Sequence, residues 1–213
     1  DDTKAIAEKY GAIVYDAPDV MELDNGFAEA RDICFSHVPS DAEWTMWIDT
    51  DDVFMADSPV KDLLAKMEQN VSGVVLPYVY FRDAFGNITT LFDRERILRM
   101  AHGPFWAGML HETVQVRNMG EFHRPYQQPD QSPWWIEHKN REEGGKGVRN
   151  FALLEKWLAK EPTSSRAMWY LGMQHFAASD WELAAERFEQ AAVHRPGGEV
   201  EVGPTVVVAD AEV

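Results

Sequence analysis

Trp44-Thr45-Met46-Trp47-Ile48-Asp49-Thr50-Asp51-Asp52-Val53-Phe54 decides how this chain is read. Apolar and β-prone residues from Trp44 to Ile48 predict a strand buried on both faces, and carboxylates at Asp49, Asp51 and Asp52 then crowd its end. Carboxylates so placed need a cation. Asp-x-Asp turns two side chains the same way, so both reach one metal ion or one metal-bound diphosphate in the crevice at the C-terminal edge of an α/β sheet.

Working outward, 213 residues with 45% hydrophobic and 12% aromatic content suffice for one sizeable core, or one core and a small appendage. The net charge of −16 argues against a nucleic-acid backbone or an anionic membrane surface as partner, whereas a nucleotide held through a metal stays compatible because the cation supplies the positive charge. The single cysteine, Cys34, excludes an intrachain disulfide, suits a reducing, cytoplasmic compartment, and reads as a small buried apolar side chain. No stretch reaches the length of apolar residues that a transmembrane helix needs.

Before the central stretch, Asp2 or Thr3 caps a helix with Ile6, Ala7 and Tyr10 on one side, and Gly11 ends it. Ala12 to Tyr15 reads as a strand, and Phe27 to Phe35 as a helix whose inner face carries Phe27, Ala30, Ile33 and Cys34. After it, Ser58-Pro59 opens a helix through Val60, Leu63, Leu64 and Met67. Gly73 to Phe81 is an apolar strand that Pro77 assigns to a sheet edge or a bulge. Gly86-Asn87 turns into a hairpin arm, Ile88 to Phe92. Arg94, Arg96 and Arg99 follow on a mixed stretch ahead of Phe105 and Trp106. Thr113 to Val116 is a strand, 118–133 a polar loop, Trp134 to His138 a strand, and 140–147 a glycine-rich linker.

The last third is helical. Reading Leu171-Gly172 as the Leu-Gly pair of a tetratricopeptide motif puts Ala184, Phe188, Ala191 and Pro196 at the remaining signature positions, with Met168 and His175 in place of the usual Trp and Tyr. Pro162 precedes Pro196 by 34 residues, the period of that repeat, so Val148 to Lys160 reads as half of a preceding repeat. One and a half repeats do not bury their own apolar face, so these helices are expected to pack on the preceding region or on another copy, as in a homo-oligomer. The expected division is 1–147, 148–196 and an acidic tail, 197–213, in which Thr205 to Val208 has the composition of a strand.

Three readings fit the central stretch by itself. Asp49 or Asp52 can simply cap an acidic turn. Asp49 can be the nucleophile of a haloacid-dehalogenase-type phosphotransferase, whose Asp-x-Asp-x-(Thr or Val) pattern it fits. The third is the metal-binding Asp-x-Asp of nucleotide-sugar glycosyltransferases. The flanking chain favours the third, because Asp49 follows an earlier predicted strand and two helices, whereas the phosphatase nucleophile should end the first strand of its fold.

From Asp1-Asp2-Thr3-Lys4-Ala5-Ile6-Ala7-Glu8-Lys9-Tyr10-Gly11-Ala12 through Phe27-Ala28-Glu29-Ala30-Arg31-Asp32, Trp47-Ile48-Asp49-Thr50-Asp51-Asp52 and Leu110-His111-Glu112 to the C-terminal helices, the chain resembles a family 2 glycosyltransferase with tetratricopeptide-like helices. It departs from the family pattern at Asp32, where relatives often carry Asn, and at Asp52, where they often carry Glu. The family places a strand and an Asp-x-Gly-Ser-Thr-Asp segment before the position of Asp2, so the resemblance implies that the first strand and part of the nucleotide pocket are lacking here.

The resemblance implies a GT-A fold, a Rossmann-like α/β nucleotide-binding sheet, followed by an all-helical segment. It implies a metal-dependent inverting enzyme that moves sugar from a nucleoside diphosphate, with UDP-sugar as the donor, to a glycan, protein or small-molecule acceptor through a hydroxyl or thiol. Asp49 would meet the ribose or the metal, Asp51 would hold Mg²⁺ or Mn²⁺, and His138 would complete the metal shell. Glu112 occupies the place of the catalytic base. Arg96 and Arg99 are candidates to neutralise the diphosphate, and Trp106 to stack on a sugar. A different class of reading keeps the fold without catalysis and uses the helices to hold a partner.

Overall fold

The computed structural model describes residues 2–118, 120–127, 131–139 and 146–194. The tail 197–213 with its candidate strand, most of the linker and Pro196 lie outside them. The described chain is mixed α/β and forms two compact units, one from 2–38, 105–113 and 146–194, the other from 39–104 and 114–139.

In chain order the strands are β1 (Trp44–Met46), β2 (Asp52–Ala56), β3 (Val71–Arg82), β4 (Ile88–Arg99), β5 (Pro104–Ala107), β6 (Thr113–Val116), β7 (Glu121–His123) and β8 (Trp134–His138). The sheet of the second unit runs β1-β4-β3-β8-β2, with β7 also paired to β3. Its β1/β4, β3/β4 and β2/β8 pairs are antiparallel, and β7 and β8 both run parallel to β3. Val74, Leu76, Ile97 and Trp134 form the core of this unit under α3 (Val60–Leu64), whose Val60, Leu63 and Leu64 pack onto them.

Three expectations change here. β3 is a central strand, not an edge, and it carries register irregularities at Val74/Val75 and Val79/Phe81, on either side of Pro77. Its edge toward β7 is paired at Val71–Val74 and toward β8 at Tyr78 and Val79, so the residue that has no N–H falls in the gap between the two partners. The mixed stretch that carries Arg94, Arg96 and Arg99 is strand: β4 continues to Arg99, and Arg96 and Arg99 reach under Trp47 and Trp44. Arg99 lies over the Trp44 ring at 4.1 Å and Arg96 over Trp47 at 3.9 Å. That packing explains the third change. β1 is a short edge strand, half-buried, and Trp44 in it and Trp47 just after it cover arginines.

The first unit is helical, with α1 (Thr3–Lys9), α2 (Gly26–Ser36), α4 (Lys146–Lys160), α5 (Ser165–Ala177) and α6 (Trp181–Val193). Ala12 to Tyr15 is no strand; Ile13 and Tyr15 are exposed, and no described strand pairs with them. An isolated extended segment has no ladder to stabilise it. Met109 and Leu110 are buried among Leu153, Leu154 and Trp157 of α4 and Ala167 and Leu171 of α5, with Phe27 and Val20 at the margin. The helical segment therefore packs on this preceding region. Ser164 caps α5 by accepting from the Ala167 N–H at 3.4 Å. Across α5 and α6, a Cβ on Gly172 would stand 2.7 Å from the Phe188 ring, and Ala184 and Ala191 are buried.

Candidate functional site

Asp49 to Asp52 form a tight turn closed by Asp52 N–H donating to the Asp49 carbonyl at 3.0 Å. Lys139 N–H donates to the Asp51 carbonyl at 2.7 Å, tying the turn to the end of β8. The antiparallel register of β2 and β8 then sets Asp52 directly opposite His138.

The Asp52 carboxylate is fully buried. Its Oδ1 accepts from the Tyr78 hydroxyl at 2.8 Å and faces His138 Nδ1 at 3.0 Å, while Oδ2 faces Arg96 Nη2 at 3.1 Å. Arg96 is itself buried between the rings of Trp47 and Tyr78, at 3.9 and 4.4 Å. Burial and the Asp52 charge push the ionisation of Tyr78 far up, so its hydroxyl keeps the proton and donates. Burial pulls the Arg96 ionisation down, against Asp52, which favours the cation. A buried ion pair bracketed by aromatic faces thus anchors one side of the imidazole.

The other side is open to chemistry. With Nδ1 held on a carboxylate, the proton is assigned to Nδ1 and the lone pair to Nε2, the arrangement that second-shell carboxylates impose on metal-binding histidines. Nε2 faces Asp51 Oδ2 at 3.9 Å, and both side chains are partly exposed. Two donors each about 2.1 Å from one ion lie about 3 to 4 Å apart, so this pair fits a divalent cation. Asp51, Asp52 and His138 offer ligand atoms within 4.8 Å of one another. Tyr80 stacks on the imidazole with centroids 4.8 Å apart and fixes its plane.

Asp49, by contrast, lies outside that cluster; it contributes its carbonyl to the turn and its charge to the surroundings of Tyr78 and Arg96. Sequence reasoning missed Tyr78 and Arg96 as partners of Asp52, since nothing local joins them. The alternation of Arg94 and Arg96 on a strand was the one available signal. Arg99 is committed elsewhere: Nε donates to the Val71 carbonyl at 2.9 Å, Nη2 to Glu68 O at 3.0 Å, and Nη1 pairs with Glu43 at 2.5 Å. The side chains of Arg96 and Arg99 are both buried.

Glu112 belongs to the first unit. It is buried, and its carboxylate pairs with the Arg31 guanidinium on α2. Arg31 lies over the ring of Trp106 at 4.8 Å, and the Trp106 N–H donates to Asp32 Oδ1 at 3.0 Å. Trp106 is buried, and its ring packs with Arg31 and Phe35. Arg31 and Asp32, adjacent on α2, therefore hold both Glu112 and the strand that leads to it.

The profile of Glycosyl transferase family 2 matches residues 1–125. No curated protein matches the chain. Among the described residues, no helix is long and apolar enough to cross a membrane.

Proposed function

Because this chain belongs to glycosyltransferase family 2, we propose that it is a metal-dependent inverting transferase of GT-A architecture. It moves a sugar from a nucleoside diphosphate, a UDP-sugar, to an acceptor hydroxyl or thiol. The observation that carries the metal-dependent part is the Asp51–His138 pair, 3.9 Å apart, with its imidazole oriented by the buried Asp52. Asp51 and His138 would hold Mn²⁺ or Mg²⁺, and the ion would supply charge to the diphosphate leaving group. Asp52, held by Arg96 and Tyr78, keeps the imidazole in one tautomer, and Tyr80 keeps it in one plane. Asp49, in the same turn as Asp51, would meet the donor ribose or the metal. Glu112 takes the proton of the acceptor as it attacks the anomeric carbon from the face opposite the diphosphate, which inverts the centre.

The helical segment is read as one and a half tetratricopeptide-like repeats, supported by the close fit of Gly172 to Phe188. Exposed Trp169, Phe176 and Trp181 favour a role for these helices in holding a second copy or another partner.

Calorimetry of Mn²⁺ with UDP-glucose tests the metal assignment. Binding is expected in the native protein and absent in Asp51→Ala, with the fold retained. Equal affinity in the two proteins removes Asp51 from the site.

A further inference from the structure

Gly108-Met109-Leu110-His111-Glu112 is bracketed by two residues with left-handed backbone, Gly108 at φ +95° and His111 at φ +54°. Glycine adopts that region freely, but histidine does so rarely, and surrounding structure must hold it there. The holding groups are on α5. Arg166 Nη2 donates to the His111 carbonyl at 2.7 Å, and the His111 ring stacks on Tyr170 with centroids 4.1 Å apart and planes 26° apart. Arg166 and Tyr170 stand one turn apart on the same helix face, with the guanidinium 5.4 Å from the Tyr170 ring.

We propose that Arg166 and Tyr170 are positioning residues for Glu112: they clamp His111 in its left-handed conformation and so aim the neighbouring carboxylate. The His111 carbonyl and the Glu112 N–H belong to one rigid peptide plane. A hydrogen bond to that oxygen therefore fixes the plane from which the Glu112 side chain departs. The opposite end of the segment is held as well, since a Cβ on Gly108 would stand 3.2 Å from the Trp157 ring of α4, and Met109 and Leu110 are sunk in the core between α4 and α5. Glu112 leaves this clamp toward Arg31, the charge it meets. The C-terminal helices thus shape the backbone around a proposed reacting group.

The inference rests on Glu112 being the base, so the experiment separates the two. In the intact protein, the Glu112 side-chain carboxyl ¹³C resonance is assigned by its loss in Glu112→Gln. It is then compared in Arg166→Ala, Arg166→Lys, Tyr170→Ala and Tyr170→Phe. The resonance is expected to move in both alanine variants and to return toward its native position in Arg166→Lys, which keeps a donor, and in Tyr170→Phe, which keeps the ring. Release of UDP from UDP-glucose with Mn²⁺, with water as acceptor, is measured on the same set. The alanine variants should lose about tenfold to a hundredfold in kcat with little change in KM, and the conservative variants should recover most of it. An unmoved Glu112 resonance in both alanine variants overturns the clamp even if Glu112→Gln is inactive. Turnover by Glu112→Gln equal to the native rate overturns the base reading, and with it any catalytic purpose of the clamp.

Discussion

Asp52 joins stability to the proposed chemistry through a single side chain. Its carboxylate is removed from water and is compensated by Arg96, the Tyr78 hydroxyl and His138. Replacing one member of a buried ion pair leaves the other charge uncompensated, which typically costs about 3 to 5 kcal/mol. Asp52→Asn is therefore expected to lower unfolding free energy by about 3 kcal/mol, and to weaken Mn²⁺ binding about tenfold to a hundredfold because the His138 tautomer is no longer enforced. Urea unfolding and calorimetry read the two effects. Asp51→Ala should show the opposite profile, with binding lost and stability within about 1 kcal/mol of native, because its carboxylate is partly solvated. Identical profiles for the two variants would mean that Asp52 does not act through His138.

At the scale of elements, helix α2 is fixed by its first residue. Gly26 has φ +55°, and a Cβ there would stand 2.5 Å from the Met109 carbonyl, the same oxygen that accepts from Phe27 N–H at 3.0 Å. Gly26→Ala meets a backbone penalty of about 1 kcal/mol and a clash with a main-chain atom that no rotamer change relieves. A loss of at least about 2 kcal/mol in urea unfolding is expected. A variant as stable as the native protein would show that α2 does not dock on Met109 through this approach. The sheet carries a comparable detail at Pro77, which is tolerated in a central strand because its position falls between the pairings of β7 and β8. Such positions are invisible to a rule that reads proline as an edge signal.

For the whole molecule, the C-terminal helices are expected to be a docking element on which the stability of 1–147 depends, because part of that region shares a core with them. The cluster of Met109, Leu110, Val20 and Phe27 is completed by Leu153, Leu154, Trp157, Ala167 and Leu171. A chain ending after Gly147 exposes that apolar surface to water, at a cost of roughly 25 cal/mol per Å². It is expected to melt well below the intact chain or to aggregate, as thermal unfolding with light scattering would show. Trp169, Met173, Phe176, Trp181 and Leu183 remain exposed on α5 and α6. Static light scattering of the intact chain is accordingly expected to give a dimer. A monomer whose shortened form keeps full stability would make the helices a free appendage.

The sequence by itself determined the mixed α/β character, the carboxylate-rich turn at Asp49–Asp52, the apolar character of β3, β8 and α4, and the family, whereas α2 buries Gly26 and Ala28 and leaves Cys34, expected on its inner face, exposed. All of these are local, since burial periodicity and turn chemistry are written within a few neighbouring residues. Only the tertiary structure decided which groups face one another. Asp52 and His138 are 86 positions apart and meet because β2 and β8 pair in one register. Arg166 reaches His111 across 55 positions because Leu110 and Leu171 share a core. Arg96 and Arg99 are buried partners of Asp52 and Glu43 because β4 runs beneath two tryptophans. Such pairings depend on side-chain volumes and charges brought together by packing over long loops, a complementarity that no single stretch of chain contains.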